Sequence, residues 1–158
     1  MIRIGIGYDI HKLARGRDLI LAGVKVPHSK GLAGHSDADV IFHAVADAIL
    51  GSVSEGDIGK HFPDSNEKLK GTSSGVIVEK AVELLAKHRG KVGNVDIAII
   101  AGEPKLSAHV DKMKSNLANL LGVSAASVSI KCSSNNGIGV IGEGEGIACI
   151  ATCLVELN

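Results

Sequence analysis

A carboxylate and an imidazole two residues apart, Asp9 and His11, form the first pattern in the chain that could carry chemistry. In an extended segment, side chains two residues apart point to the same side, so both groups could reach one metal ion. The pattern Asp-x-His also arises often by chance, so it does not establish a metal site by itself.

A second pattern lies at the start of a predicted helix, in the segment His35-Ser36-Asp37-Ala38-Asp39. We expect Ser36 to be the N-cap of this helix and Asp39 its capping-box partner. On the helix, Asp39, His43 and Asp47 follow one another at intervals of four and form one polar edge. His43 could bind a metal while a neighbouring carboxylate orients its second ring nitrogen. A partly buried histidine held by a helical carboxylate would give the same pattern.

If Asp9, His11 and His43 converge, they offer two imidazoles and one carboxylate to a single ion. Three protein ligands and one open position are typical of catalytic zinc, whereas structural zinc is enclosed by four ligands. No two cysteines form a C-x-x-C pair; the three are Cys132, Cys149 and Cys153. We expect them to be reduced core residues of a cytosolic protein, and we therefore predict a reactive metal site.

Three loops could bind a phosphate or a nucleotide. The segment 137–142 matches the G-x-G-x-x-G pattern, but it leads into a β-rich segment with Glu143 and Glu145, so we reject a dinucleotide site. The loops 101–107 and 133–136 follow predicted strands, whose carboxyl ends often bind ligands. The hydroxyls and amides of 133–136 can bind phosphate, although a plain Asx or Ser turn has the same composition.

The elements that position these groups follow from hydrophobic periodicity. It predicts strands at 2–7, 95–101, 127–132 and 147–157, a hairpin at 19–26, and helices at 36–51, 75–89 and 107–121. The polar segment 56–70 contains glycine and proline and is predicted to be a loop. Strands and helices mix without strict alternation. We therefore predict one catalytic domain over residues 1–158, an α+β two-layer sandwich with a mixed β-sheet and helices packed on one face.

Composition narrows the classes of partner. The chain has 17 basic and 17 acidic residues and no cluster of Lys and Arg, so we expect no nucleic acid partner. No apolar run approaches the roughly 20 residues of a membrane-spanning helix. The first residues lack the pattern of a signal peptide, so we expect a cytoplasmic protein without a membrane partner. With one Tyr, two Phe and no Trp, the core has to be built from aliphatic residues.

Several motifs occur in an order that covers essentially the whole chain. They are Gly5-x-Gly7-Tyr8-Asp9-x-His11, Gly34-His35-Ser36-Asp37-Ala38-Asp39-Val40, His43-Ala44-x-x-Asp47-Ala48, Gly56-Asp57-Ile58-Gly59-x-x-Phe62-Pro63-Asp64, Gly93-Asn94-Val95-Asp96, Pro104-Lys105 and Gly144-Glu145-Gly146-Ile147-Ala148. Together they resemble the family of 2-C-methyl-D-erythritol 2,4-cyclodiphosphate synthases. The resemblance implies a lyase of the non-mevalonate isoprenoid pathway, which converts 4-diphosphocytidyl-2-C-methyl-D-erythritol 2-phosphate to the 2,4-cyclodiphosphate and CMP.

The resemblance also implies a homotrimer with active sites between subunits. One zinc ion per subunit would be bound by Asp9, His11 and His43, and a second cation, Mg²⁺ or Mn²⁺, would bridge the diphosphate. His35 and Ser134 fall on positions assigned to transition-state stabilisation. The positions implied to contact substrate are Asp9, His11, His35, Ser36, Asp57, Ile58, Gly59, Phe62, Pro63, Asp64, Ser65, Asn66, Ala101, Gly102, Glu103, Pro104, Lys105, Leu106, Ser107, Ser133, Ser134, Asn135 and Asn136.

Three residues depart from the family pattern. Asn136 stands where the family usually has a Glu that helps to hold the second cation; Asn keeps an oxygen ligand but loses the charge. Val140 and Glu143 stand where Phe and Arg commonly line and cap a cavity on the trimer axis that can hold an isoprenoid diphosphate. Because Glu reverses the charge presented to a diphosphate, we predict weak or no binding there.

Two other functions are compatible with the same residues. A zinc-dependent hydrolase of a nucleotide diphosphate substrate would use the three ligands with a bound water, and Asp39 or Asp47 could serve as its base. A non-catalytic trimer that binds a metal or a nucleotide is the other alternative.

Overall fold

The computed structural model describes residues 1–34, 36–63, 71 and 73–158. Within these residues the chain forms seven strands: β1 (Ile2–Arg15), β2 (Leu19–Leu21), β3 (Val24–Val26), β4 (Lys30–Leu32), β5 (Gly90–Ala101), β6 (Val128–Ser133) and β7 (Gly146–Leu157). The same residues form five α-helices: α1 (Val40–Ser52), α2 (Ile58–His61), α3 (Gly75–Lys87), α4 (Val110–Leu121) and α5 (Gly139–Gly142).

Five strands form one mixed sheet in the order β4-β1-β7-β5-β6, and β2 and β3 form a separate hairpin. β5 and β6 are parallel, whereas β1 and β5 each run antiparallel to β7. β1, β5 and β6 therefore run in the same direction, and their carboxyl ends point toward one edge of the sheet. At that edge His11 of β1 and Ala101 of β5 both pair with Ile147 of β7.

Helices α1, α3 and α4 pack on one face of the large sheet. The period of two in β1 explains how α1 can lie so close to it. Gly5 and Gly7 are buried beneath α1, where a methyl group would overlap the carbonyl oxygens of Ala48 and Ala44. The alternate residues of β1 are exposed on the opposite face. The predicted α+β architecture, with a mixed sheet and packed helices, is confirmed.

α1 is the central helix of the core. Of its 13 residues, 11 are buried, so it is enclosed on nearly all sides rather than along a single stripe. It contacts the sheet on one side and α3 on the other. A helix held in this way has little freedom to rotate, and its position fixes the position of His43.

The start of α1 differs from the prediction. Asp39 is the N-cap, because its carboxylate accepts hydrogen bonds from the backbone N–H groups of Ile41 and Phe42. Ser36 is not a cap: its hydroxyl accepts from the N–H of Ala38, and Ala38 has a positive φ of 56° that a helix does not allow. The hydrogen bond from the backbone to the Ser36 side chain therefore stabilises a turn over residues 36–38 in place of a helical turn.

Other boundaries also differ from the prediction. β1 continues to Arg15 because it pairs first with β7, up to Lys12, and then with β4 over residues 13–15. β5 begins at Gly90 because its pairing with β7 extends that far. The single-turn helices α2 and α5 lie in segments predicted as loops, and the short strand β4 lies between the predicted hairpin and the first predicted helix. α3 begins at Gly75 and α4 ends before Gly122, as predicted, and Gly122 has the left-handed conformation of a C-cap.

The cysteines are free, but only two of them are core residues. Cys149 and Cys153 are buried in β7, where burial raises the pKa of both thiols, that of Cys153 to about 12. Cys132 is exposed, so its prediction as a core residue was wrong. It follows Lys131 at the end of β6, the edge strand, where one side of the sheet is uncovered. In the described part of the chain, no helix is long and apolar enough to cross a membrane.

Candidate functional site

β1 and α1 bring the three predicted metal ligands together. The period of two that buries Gly5 and Gly7 under α1 places Asp9 and His11 on the same face of β1, further along the strand. His43 lies in the first turn of α1, next to Ala44, whose carbonyl lies over Gly7. The close approach of strand and helix therefore positions the third ligand beside the first two.

The three side chains converge on one point. Oδ2 of Asp9 lies 2.9 Å from Nε2 of His11 and 2.9 Å from Nδ1 of His43. The two imidazole nitrogens are 3.3 Å apart. Among the described residues this is the one group of three or more His, Cys, Asp or Glu side chains whose ligand atoms all lie within 4.8 Å of one another.

The outer nitrogen of each imidazole has its own hydrogen-bond partner. Nδ1 of His11 lies 2.7 Å from the carbonyl oxygen of Ala33, which can only accept, so Nδ1 carries a proton. Nε2 of His43 lies 3.0 Å from Oγ of Ser74. That hydroxyl donates to the carboxylate of Asp37, so it accepts from Nε2–H of His43. In the neutral state, both rings therefore direct a lone pair toward Asp9.

This arrangement fits a divalent metal such as zinc. Zinc bonds of about 2.0–2.2 Å to N and O in tetrahedral geometry place neighbouring ligand atoms about 3.3 Å apart, close to the spacing seen here. The outer hydrogen bonds are those that orient metal-binding histidines. Two imidazoles and one carboxylate leave a fourth position for a substrate oxygen, and no cysteine belongs to the group.

Electrostatics also favour binding of a cation. Burial raises the pKa of Asp9, but hydrogen bonds to His11 and His43 together lower it more, so the pKa lies well below its usual range. Burial lowers the pKa of His11, but the hydrogen bond to Asp9 and the charge of Asp9 raise it more, so the net shift is upward. The group thus holds a negative charge and a readily bound proton, which a metal ion would displace.

The two carboxylates predicted to orient His43 have other roles. Asp39 is fully buried, and its two oxygens accept from the N–H groups of Ala22 at 2.9 Å and Gly23 at 2.7 Å. It therefore fixes the β2–β3 turn to the start of α1. Asp47 accepts from the N–H of Ile58 at 2.7 Å and holds the start of α2. The prediction that Asp39 or Asp47 orients His43 was wrong, because each carboxylate accepts its hydrogen bonds from backbone N–H groups.

Ser74 and Asp37 fill the role that was assigned to Asp39 and Asp47. Ser74 is fully buried and contacts His43, whereas Asp37 binds Ser74 rather than the imidazole. The sequence offered only a weak signal for Ser74, a hydroxyl residue just before a predicted helix. Its contact with His43 depends on how α3 packs against α1, which spacing along the chain does not reveal.

The predicted nucleotide-binding loop and the predicted phosphate loop lie next to each other. A pocket of about 270 Å³ is lined by Ala101, Gly102, Pro104, Lys105, Leu106, Ser107, Cys132, Ser133 and Ser134. His11 and Ala101 flank Ile147 in the register, so their Cα atoms are about 10 Å apart at the usual strand spacing. Glu103 does not line the pocket; its Oε1 lies 3.9 Å from Nε2 of His28.

The remaining predicted residues lie in turns around this edge. Asn135 and Asn136 have positive φ, and the hydroxyl of Ser134 accepts from the N–H of Asn136 at 3.3 Å, so the turn interpretation of 133–136 is correct as local structure. Asp57 caps α2, which contains Ile58 and Gly59. Phe62 and Pro63 follow it, and Ser36 contacts Ser74. Four predicted residues, His35, Asp64, Ser65 and Asn66, lie outside the described residues.

The family model described as the YgbB family matches residues 2–156 of the chain. A curated relative from Alkaliphilus metalliredigens (strain QYMF), named 2-C-methyl-D-erythritol 2,4-cyclodiphosphate synthase, is 51% identical over 147 residues, which are 93% of this chain and 92% of the relative.

Two solved structures have the same fold. The Plasmodium falciparum protein described as an IspF CDP complex has a TM-score of 0.87 and 36% identity, over 99% of this chain and 97% of that one. The bifunctional IspDF from Campylobacter jejuni has a TM-score of 0.96 and 34% identity; it covers all of this chain, which spans 43% of that longer protein. By its match over nearly all of its length and its identity to a named synthase, the chain belongs to the YgbB family.

Proposed function

We propose that this chain converts 4-diphosphocytidyl-2-C-methyl-D-erythritol 2-phosphate to 2-C-methyl-D-erythritol 2,4-cyclodiphosphate and CMP. The observation that carries the proposal is the convergence of Asp9, His11 and His43, one strand away from a strand-end pocket, in a chain 51% identical to a synthase of that name. The CDP complex of the Plasmodium falciparum protein supports a CDP-linked substrate.

The reaction is an intramolecular phosphoryl transfer. The 2-phosphate attacks the β-phosphorus, an O–P bond to that phosphorus forms, and the bond to the CMP oxygen breaks. A phosphate monoester is largely dianionic at neutral pH because its second pKa is about 6, so the nucleophile needs no strong base. Catalysis therefore depends on folding a flexible polyanion into line and on neutralising its charge.

The described residues offer groups for both tasks. Asp9, His11 and His43 would hold the metal, which when bound would supply Lewis acidity and a template for phosphate oxygens. Ser133, Ser134, Asn135 and Asn136 present hydroxyls, amides and a turn of backbone N–H groups that can bind phosphates. The pocket formed by the loop 101–107 and the end of β6, which Glu103 does not line, would take the cytosine, oriented by backbone groups and Lys105.

The other assignments implied by the family resemblance belong to the same proposal. His35 and Ser134 would stabilise the transition state, and Ser36, the residues 57–59 and the segment 62–66 would bind the sugar portion. The metal would be zinc, with Mg²⁺ or Mn²⁺ as the second cation, and Asn136 would give the second cation an oxygen but no charge. We further propose a single catalytic domain and a cytoplasmic location.

A homotrimer with active sites between subunits completes the proposal. It is supported by the outer face of the sheet, where four apolar side chains of β1 are 56–72% exposed: Ile2, Ile4, Ile6 and Tyr8. An apolar row of this length in a single chain is typical of a surface that another chain covers.

The hydrolase alternative is not supported. Both oxygens of Asp39 are engaged by backbone N–H groups in a fully buried position, so Asp39 cannot act as a base on a water. None of the three relatives described above is named a hydrolase.

Phosphorus NMR of the purified protein with the CDP-linked substrate, zinc and magnesium tests the proposal. We expect CMP and a cyclic diphosphate to appear together in equal amounts. Linear phosphate products with CMP would instead indicate a hydrolase. Binding of CDP without turnover would indicate a protein that binds the nucleotide but has lost catalysis.

A further inference from the structure

The hydroxyl of Ser74 is directed away from the helix that it precedes. Ser74 stands in the N-cap position of α3, where a serine usually accepts hydrogen bonds from the first N–H groups of the helix. It makes no such bond. The neighbouring Ser73 accepts from the N–H of Gly75 instead, at 3.2 Å. The fold thus leaves the Ser74 hydroxyl free for contacts on the other side.

Those contacts are with three polar groups, the buried His43 and the partly buried Ser36 and Asp37. Oγ of Ser74 lies 3.0 Å from Nε2 of His43 and 3.1 Å from the hydroxyl of Ser36, and it donates to the carboxylate of Asp37. Asp37 also accepts from the backbone N–H of Ser74, at 3.1 and 3.2 Å, and from that of Asp39. Asp37 therefore fixes both the backbone and the hydroxyl of Ser74.

The direction of these hydrogen bonds follows from the number of protons available. An ionised carboxylate only accepts, and a serine hydroxyl has a single proton, which goes to Asp37. Both lone pairs of Oγ are then left for donors, one of which can be the hydroxyl of Ser36. Nε2 of His43, at 3.0 Å, has to carry a proton as well, because a bare nitrogen would face an oxygen lone pair. A proton on Nε2 leaves Nδ1 of His43 free to face Asp9 and His11 as a ligand.

We propose that Ser74, held by Asp37, is a positioning residue that sets the tautomer and the orientation of His43 for metal binding. Ser74 itself is fully buried and contacts His43 at Nε2, the ring nitrogen that faces away from Asp9 and His11. The inference rests on the metal site of the proposed function and adds two residues to it. A carboxylate that reaches a metal-binding histidine through a serine hydroxyl performs the same task as a carboxylate in direct contact.

Zinc binding by the metal-free protein, measured by competition with a chromogenic chelator and without substrate, tests the inference. For Ser74→Ala and Asp37→Ala we expect the dissociation constant to rise about 10- to 100-fold, as for the loss of other outer partners of metal-binding histidines. Because both residues act through one contact, the double variant should bind zinc no more weakly than the weaker single variant.

Ser52→Ala is the matched control. Ser52 is also buried, and its hydroxyl donates to the carbonyl of Ile49 within α1. This hydrogen bond involves neither His43 nor its partners. The variant should lose some stability but keep its zinc affinity within about twofold. Zinc binding by folded Ser74→Ala within about twofold of wild type would overturn the inference.

Nitrogen NMR of His43 in the wild-type protein provides a second test that does not depend on whether a variant folds. We expect a proton on Nε2 that exchanges slowly with water, in the metal-free and the zinc-loaded states. A metal-free protein with a bare Nε2 and a proton on Nδ1 would contradict the inference. A wild-type protein that binds zinc but does not cyclise the substrate would overturn the proposed function alone; one that binds no zinc would overturn both.

Discussion

At the scale of single residues, Asp9 is the centre of the metal group because one of its oxygens faces both imidazoles. Oδ2 lies 2.9 Å from a nitrogen of each ring, so the carboxylate both completes the ligand set and balances the charge of a bound cation. Its neighbourhood contains a second carboxylate, Asp47, which is engaged by the backbone of Ile58. The two residues therefore allow the same substitution to be compared at a ligand and at a nearby structural position.

For Asp9→Asn we expect zinc affinity to fall by more than the 10- to 100-fold typical of losing an outer partner, because a charged ligand is lost. Cyclising activity should be lost with it. Asp47→Asn keeps an oxygen that can accept from Ile58 and should change zinc affinity only a few-fold. Chelator competition on both variants measures the difference; equal affinities for the two would contradict the role of Asp9.

Proton competition at the same group predicts opposite effects of pH on metal binding and on stability. Because the pKa of His11 is raised, the ring keeps its proton at pH values above 6.5, the ordinary pKa of histidine. Zinc affinity should therefore rise with pH through this raised pKa. The contribution of the Asp9–His11 pair to the free energy of unfolding of the metal-free protein has the opposite trend. This contribution is complete below about pH 6.5 and is lost as pH rises through the pKa of His11 in the folded state.

Zinc titrations and urea unfolding of the metal-free protein, both measured across this pH range, check the prediction. His11→Ala should remove that part of both pH dependences. Zinc affinity that stays constant with pH would show that no proton is displaced from this group.

At the scale of elements, the metal group depends on how closely α1 approaches β1. Gly7 lies directly under Ala44, the neighbour of His43, and any side chain there would overlap a helix carbonyl. The contact that permits close packing is therefore only one residue away from a ligand. A small change in strand-to-helix distance should move His43 relative to Asp9 and His11.

We expect Gly7→Ala to lower the free energy of unfolding by about 1–3 kcal/mol or more, as for other overpacked interiors. It should also weaken zinc binding, because α1 has to move outward. Gly51→Ala is the control: Gly51 lies in the same helix with its nearest neighbour 3.8 Å from the added methyl group, so it should gain about 0.5–1 kcal/mol. Urea unfolding of both variants tests this. A Gly7→Ala protein as stable as wild type would show that the helix can yield without cost.

Local patterns in the sequence identify the ligands but not their supports. Asp9 and His11 are found because a strand repeats every two residues, and His43 because it lies four residues after Asp39 on the polar edge of the predicted helix. Ser74 is missed because its partner lies across a helix–helix contact. The N-cap is misplaced from Asp39 to Ser36 because a left-handed residue, Ala38, interrupts the pattern. The short helices α2 and α5 are missed because one lies in a polar segment and the other in a glycine-rich one, and neither segment has a hydrophobic period.

At the scale of the whole molecule, the two faces of the large sheet have different roles. One face is covered by helices and carries the metal group. The other exposes the apolar row of β1, with Ile4 72% exposed. All three ligands come from a single chain, whereas the proposed active site needs neighbouring subunits. Metal binding and catalysis should therefore respond differently when the subunits are separated.

For Ile4→Asp we expect the proposed trimer to dissociate, because a charge would be buried in an apolar interface without a partner. Ile4 points away from α1, so the dissociated protein should bind zinc with nearly unchanged affinity while cyclising activity falls by several orders of magnitude. Light scattering gives the mass in solution, and chelator competition and CMP release give the other two readouts. Ser115→Asp adds the same charge to the exposed surface of α4 and should leave all three unchanged. A wild-type protein that is monomeric and active would contradict the proposed assembly, since catalysis would then need only the residues of one chain.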